Sequence, residues 1–155
     1  MPAAPAGRAP LDLLPRYPAD GASFAEACKG YSREPFAGAR AGRDRPTGLE
    51  WEGVVIAALV DAAPEGTQAS YYRSAGGAEI DLVLRFPDRH ENWAFEIKLR
   101  AGARLRRPFH QARAELKPKR VFLVHAGSRR FEVMKGVEAI GLEEAASLVK
   151  TPARC

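Results

Sequence analysis

Alternation of apolar and mostly polar residues, interrupted by Val83 and Ala94, marks two neighbouring segments in the middle of the chain. In residues 78–85 apolar side chains fill the even positions, and in residues 93–99 they fill the odd positions. Successive side chains of a strand point to opposite faces, so each segment predicts a strand with one apolar face. The polar residues 87–92 predict a turn between them. We therefore expect an antiparallel strand pair here.

Apolar residues at helical spacing predict a helix on each side of this strand pair. The first helix covers residues 49–63 and ends before Pro64 and Gly66. Its predicted apolar face consists of Trp51, Val54, Val55, Ala58 and Leu59. The second helix has Pro108 in its first turn and stops at Pro118. Its apolar face consists of Phe109, Ala112 and Leu116.

The remaining segments complete an α/β fold. Residues 68–73 predict a strand that turns at Gly76-Gly77 into the next strand. The continuous apolar run from Arg120 to Ala126 is typical of a strand buried on both faces, reached through a parallel crossover. Residues 137–140 predict a short edge strand and residues 142–149 a closing helix. The expected order is helix, three-strand meander, helix, strand: a mixed sheet flanked by helices.

The first 47 residues differ in character from the rest. They are rich in Pro, Ala, Gly and Arg and carry little apolar periodicity, so we expect a poorly ordered segment. A short helix over residues 23–29 is the one element predicted there, with Ser23 as its cap. A chain of 155 residues suits a single domain, which we place at residues 48–150, followed by a tail at 151–155.

Charge and cysteine content indicate what kind of partner the protein contacts and in which compartment it is located. The formal net charge of +5 favours contact with polyanions. The two cysteines have no metal-binding spacing and fit a reducing compartment. No stretch approaches the roughly 20 apolar residues of a membrane span, and the first residues lack signal-peptide character. A cytoplasmic protein without membrane contact is expected.

Two carboxylates and a lysine are predicted to meet on the strand pair. Glu96 and Lys98 share a strand face because one residue separates them, and Asp81 lies near the middle of the neighbouring strand. Aspartate is depleted in strands, which makes Asp81 notable between two apolar neighbours. Carboxylate oxygens are ligands of Mg²⁺, and a nearby lysine stabilises developing negative charge. The alternatives are a solvated charged stripe or a structural ion pair.

Basic residues follow this strand directly. Arginine and lysine in this region predict contacts with DNA phosphates, against the alternative of a solvated face. The predicted contact residues are Arg104, Arg106, Arg107, Arg113 and Lys117. Phe109 would also be available to stack on an unpaired base.

Three motifs in combination resemble a known family. They are Gly48-x-x-Trp51-Glu52, then Tyr72-Arg73 leading to Glu79-Ile-Asp81, then Glu96-Ile-Lys98. Residues 48–150 are similar to the C-terminal domain of unknown function of prokaryotic AAA-type ATPases and resemble the PD-(D/E)XK nuclease superfamily.

That resemblance implies a restriction-endonuclease-like core with magnesium-dependent hydrolysis of DNA. It assigns catalytic roles to Asp81, Glu96 and Lys98, with Asp81 and Glu96 as metal ligands and Glu52 as a helix-borne acid. Glu50 competes with Glu52, and Glu79 either joins the site or faces solvent. Gln111 occupies a position where related nucleases can carry a glutamine.

The sequence also departs from that family. It contains no G-x-x-x-x-G-K-[ST] loop, so ATP hydrolysis by this chain is not expected. An ATPase partner would have to act in trans. The alternative to a nuclease is a non-catalytic interaction module, or the remnant of an ATPase that lacks its ATPase half.

Overall fold

The computed structural model describes residues 28–30 and 48–151. Three α-helices and seven strands make up this part of the chain, with a 3₁₀ turn at Pro87–Arg89. In chain order they are β1 Cys28–Gly30, α1 Gly48–Ala62, β2 Gln68–Arg73, β3 Glu79–Phe86, β4 Glu91–Ile97, α2 Arg107–Leu116, β5 Arg120–His125, β6 Phe131–Met134, β7 Val137–Gly141 and α3 Leu142–Lys150. Within these bounds no helix is long and apolar enough to cross a bilayer.

The strands form one mixed sheet with the order β1-β2-β3-β4-β5-β7-β6. Strands β1 to β4 are antiparallel neighbours, and β5 joins β4 in parallel through the crossover helix α2. The predicted α/β class, the meander and the parallel crossover are confirmed. The short N-terminal helix is wrong at Cys28 and Lys29, which belong to β1, and its other residues lie outside the described part.

The far edge of the sheet differs from the prediction. Residues 137–140, predicted as an edge strand, lie inside the sheet as β7, between β5 and β6. Strand β6 forms this edge, and no apolar alternation predicted it because three of its four residues are exposed. An exposed edge strand lacks the buried face that produces such a pattern.

Helices cover both faces of the sheet, and each face has its own core. Helices α1 and α3 pack on one face, where Leu59, Phe95 and Val149 are buried together. Helix α2 packs on the other face through Phe109 and its neighbours. Val54, predicted on the apolar face of α1, is 37% exposed. The buried stripe of α1 is displaced towards Val60, which the prediction did not include.

A bulge in β3 changes which face its side chains occupy. Ser70 pairs with Val83 but Tyr72 pairs with Ile80, so β3 uses one residue more than β2 between these pairs. Ile80 therefore packs on the α2 side, whereas Leu82 packs on the α1 side. The predicted single apolar face for residues 78–84 is wrong for this reason. Bulges re-aim side chains, and this one lies at Asp81.

Candidate functional site

Asp81 lies where β3 and β4 separate at one end of the sheet. The register pairs Leu82 with Phe95, so Asp81 and Glu96 occupy the next positions along the two strands. The Asp81 Oδ2 atom accepts a hydrogen bond of 2.7 Å from the main-chain N–H of Ile97. The Asp81 carboxylate thus takes the place of a main-chain carbonyl as the acceptor for Ile97. This hydrogen bond fixes it next to β4, the strand that carries Glu96.

Glu96 and Lys98 form a close ion pair at the end of β4. Their Oε1 and Nζ atoms are 2.6 Å apart. Glu96 is only 7% exposed. Its second oxygen, Oε2, is buried and has no hydrogen-bond partner. A buried polar atom without a partner is costly, so this oxygen is suited to a further ligand.

Glu52 reaches the same charge cluster from α1. Its carboxyl is half-buried, and burial together with the negative charge of Asp81 raises its pKa. One residue earlier, the Trp51 indole N–H donates a 3.1 Å hydrogen bond to the main-chain oxygen of Lys98. Glu50, the competing candidate, is exposed. The helix-borne acid that influences the site is therefore Glu52.

Burial dominates the electrostatics of the site. Desolvation and the negative charge of Asp81 raise the pKa of Glu96 to about 7, although Lys98 acts in the opposite direction. Desolvation also raises the pKa of Asp81, against the hydrogen bond from Ile97. Burial alone lowers the pKa of the Lys98 ammonium, but the hydrogen bond and charge of Glu96 outweigh it, and the net shift is upward. The site thus concentrates negative charge that its surroundings only partly neutralise.

The donor set fits a hard cation of the magnesium type. No three His, Cys, Asp or Glu side chains of the described residues gather closely enough to enclose an ion. Magnesium, however, is commonly held by one or two carboxylates and keeps several waters. Asp81 and Glu96 are the two carboxylates that would hold such a cation, and Glu96 Oε2 lacks a hydrogen-bond partner within the protein.

The predicted DNA-binding residues follow the site along the chain. Arg104, Arg106, Arg107 and Lys117 are exposed, on the loop before α2 or at the ends of that helix. Arg113 instead donates a 2.8 Å hydrogen bond to the main-chain oxygen of Lys135. These positions leave four of the five predicted cations on the surface.

Helix α2 also carries Phe109, which was predicted to stack on a base, and Gln111, which was compared with a glutamine of related nucleases. Phe109 is 1% exposed, and its predicted stacking on a base is wrong because the ring belongs to the core. Gln111 donates a 3.2 Å hydrogen bond to Glu115 and lies against the turn at Gly76. Its contacts connect α2 to the β2–β3 hairpin.

Sequence reasoning missed the contributions of Trp51 and Arg73 to this site. Trp51 fixes the backbone of Lys98 to α1, and Arg73 forms an ion pair with Glu79 with a 2.5 Å Nη2–Oε1 distance. A buried indole N–H nearly always needs an acceptor, which was the available signal for Trp51. For Arg73 the available signal was its position opposite Glu79 on the neighbouring strand. That position follows only from the register of the hairpin, which the sequence did not predict.

The indole hydrogen bond gives a testable expectation. Trp51→Phe keeps an aromatic ring but removes the donor to Lys98, and it is expected to lower the free energy of unfolding by about 1 kcal/mol. It should also speed amide hydrogen exchange at Lys98 and Leu99, measured by mass spectrometry or NMR. Trp93→Phe is the matched control because the Trp93 indole N–H bonds to Glu91 instead. Equal exchange at Lys98 in both variants would contradict the positioning role of Trp51.

Comparison with known proteins bears on the family resemblance. Residues 47–145 match the protein family described as Domain of unknown function (DUF4143). Neither the curated proteins nor the solved structures contain a match to the chain. The family match spans most of the chain and includes the strand pair with Asp81 and Glu96. The chain therefore belongs to the DUF4143 family, the domain of unknown function that its motifs resemble.

Proposed function

We propose that this domain binds DNA and hydrolyses its phosphodiester bonds with the help of magnesium held at Asp81 and Glu96. In this proposal it is a nuclease of the PD-(D/E)XK type, formed by residues 48–150. The observation that carries it is the meeting of Asp81, Glu96 and Lys98 at one end of the β3–β4 pair, where Glu96 Oε2 is buried without a partner.

Each residue has a role that follows from its position. When bound, magnesium supplies positive charge to a phosphate oxygen and lowers the pKa of a water. Asp81 and Glu96 hold the cation, and Asp81 is itself held by the Ile97 N–H. The Lys98 ammonium, on a side chain that is 32% exposed beside Glu96, donates hydrogen bonds to a water or a phosphate oxygen and stabilises negative charge there. Glu52 accepts a hydrogen bond from water on the α1 side.

The basic residues supply affinity for the DNA backbone. Arg104, Arg106 and Arg107 precede or open α2, directly after the segment that contains Lys98. Contacts of this kind are independent of sequence and weaken steeply with salt. Binding is therefore expected to fall as ionic strength rises.

A plasmid assay tests the proposal. Supercoiled DNA incubated with the protein and Mg²⁺ is expected to become nicked, and EDTA should prevent it. Lys98→Gln should lower the nicking rate strongly because it removes the ammonium beside Glu96. Lys119→Gln, at an exposed lysine before β5, is the matched control and should retain activity. No nicking by the wild type, or equal rates for the two variants, would exclude the enzymatic role.

A second function is favoured by one specific feature. Asp81 and Glu96 both have partners within the protein, the Ile97 N–H and the Lys98 ammonium. Such contacts also suit a structural site in a non-catalytic module that binds DNA or an ATPase supplied in trans. In that case DNA binding should occur without cleavage and should be unaffected by Glu96→Gln.

A further inference from the structure

Resting on the proposed function, we propose that Arg73 is a phosphate-binding residue of this site. Its guanidinium leaves Glu79 when nucleic acid binds and pairs instead with a phosphodiester oxygen of the strand. Glu79 holds the arginine in place while the site is free of DNA. Neither residue belongs to the predicted basic surface of α2, so this adds a DNA contact from the β2–β3 hairpin.

The β2–β3 hairpin fixes the place of this pair. Arg73 ends β2 directly opposite Glu79, the first residue of β3. The turn between them is closed by hydrogen bonds from Ser74 N to Ala78 O, 2.9 Å, and from Gly77 N to Ser74 O, 3.0 Å. Gly77 has a φ of +86°, a conformation that glycine adopts readily. The arginine backbone is therefore anchored, whereas its side chain is 63% exposed.

The pair lies beside the proposed metal ligands. Glu79 is two residues from Asp81 on the same strand, and the positive charge of Arg73 acts to lower the pKa of both Asp81 and Glu52. Lys98 is the other cation that acts on these two carboxyls. Arg73 reaches the carboxylates from β2, whereas Lys98 approaches them from the end of β4.

The negative charge of the site makes a phosphate-binding cation necessary if DNA is to bind there. Four carboxylates, those of Glu52, Glu79, Asp81 and Glu96, repel a polyanion that approaches this end of the sheet. Arginine presents a planar fork that matches a phosphate group with two parallel hydrogen bonds. An exposed ion pair such as Arg73–Glu79 contributes little to stability, so the exchange of one anion for another carries a small cost. Phosphate is thus the ligand class that this arginine fits.

A double-mutant cycle tests the exchange. Binding of a fluorescein-labelled DNA duplex is measured by anisotropy in EDTA, where no hydrolysis occurs, at several salt concentrations. Arg73→Ala is expected to weaken binding about fivefold and to reduce the slope of log K against log salt by about one. Glu79→Gln is expected to strengthen binding by releasing the arginine. In the Arg73→Ala background, Glu79→Gln should have a much smaller effect.

Arg130 and Glu144 provide the matched control. They form an exposed ion pair with the same 2.5 Å separation, between the loop before β6 and helix α3, and Arg130 also pairs with Glu138 at 2.7 Å. Arg130→Ala and Glu144→Gln report what the loss of one exposed, paired charge does outside the proposed site. If wild-type DNA binding is intact but Arg73→Ala behaves like Arg130→Ala, the role of Arg73 is overturned and the proposed function stands. If the gain from Glu79→Gln persists without Arg73, the exchange is excluded. Absence of DNA binding by the wild type overturns the proposed function itself, and the Arg73 role with it.

Discussion

Asp81→Asn is expected to abolish magnesium-dependent nicking of plasmid DNA while leaving the fold intact. Asparagine keeps a side-chain oxygen that can accept the Ile97 N–H, but it removes the negative charge that would bind the cation. A bound metal supplies several kcal/mol of charge stabilisation in hydrolysis, so loss of this ligand should slow the reaction about 100-fold or more. The rate of loss of supercoiled plasmid, measured with Mg²⁺ in excess, gives the answer.

Asp81→Ala separates the chemical role of the carboxylate from its structural role. Alanine removes the acceptor as well as the charge, and an unsatisfied buried N–H at Ile97 is expected to cost about 1–3 kcal/mol of unfolding free energy. Both variants should be inactive, but only Asp81→Ala should be less stable in urea. Asp88→Asn, in the exposed 3₁₀ turn, is the control for removal of an acidic charge. Full activity of Asp81→Asn would restrict this residue to a structural role.

Local periodicity explains why much of the fold could be predicted. Strand β2 was predicted at its observed bounds and α1 to within one residue at each end, and α2 begins one residue before Pro108 and ends two residues before Pro118. The buried run of β5 and the helix before it also fixed the parallel crossover next to β4. Glu96 and Lys98 could be paired from sequence because they lie two residues apart on an extended chain.

Non-local contacts determined what the sequence could not show. The bulge at Asp81 arises from the pairing of β3 with β2, so that simple alternation misplaced Ile80 relative to Leu82. The position of β7 depends on β6, an exposed strand without an apolar pattern. Phe109 was assigned both to a helix core and to base stacking, and only packing could decide between them. Site geometry depends on the same kind of contact, as the Trp51–Lys98 hydrogen bond shows.

The buried carboxylates of the site reduce the stability of the folded protein when they are ionised. Glu96 is nearly enclosed, and the opposing charge of Lys98 does not offset desolvation and the repulsion from Asp81. A purely structural ion pair has no need of a second carboxylate that opposes it. Perturbed acids grouped in this way are characteristic of functional sites, although structural networks perturb pKa values too. The change of the unfolding free energy with pH therefore measures how much the ionised Glu96 carboxylate destabilises the folded protein.

Glu96→Gln is expected to stabilise the protein at pH 8 by about 3 kcal/mol relative to wild type. The pKa of this carboxyl rises from an ordinary 4.5 to about 7 on folding, so the folded state binds its proton more tightly than the unfolded state. The favourable effect is complete below pH 4.5, is lost as the pH rises towards 7, and is absent above it. Glutamine does not ionise, so the variant should lack this part of the pH dependence. Urea unfolding between pH 4.5 and 8 measures the difference, with Glu138→Gln as the control at a more exposed ion pair.

The effect of Mg²⁺ on the free energy of unfolding distinguishes a metal-binding role of Glu96 from a structural one. A cation that binds only the folded protein adds stability that grows with its concentration. Mg²⁺ should therefore raise the unfolding free energy of the wild type at pH 8 and have little effect on Glu96→Gln. If the variant is instead less stable at pH 8 and Mg²⁺ changes neither protein, the attraction between Glu96 and Lys98 exceeds the cost of burial. The carboxylate would then be a structural partner of Lys98, and the non-catalytic function would follow.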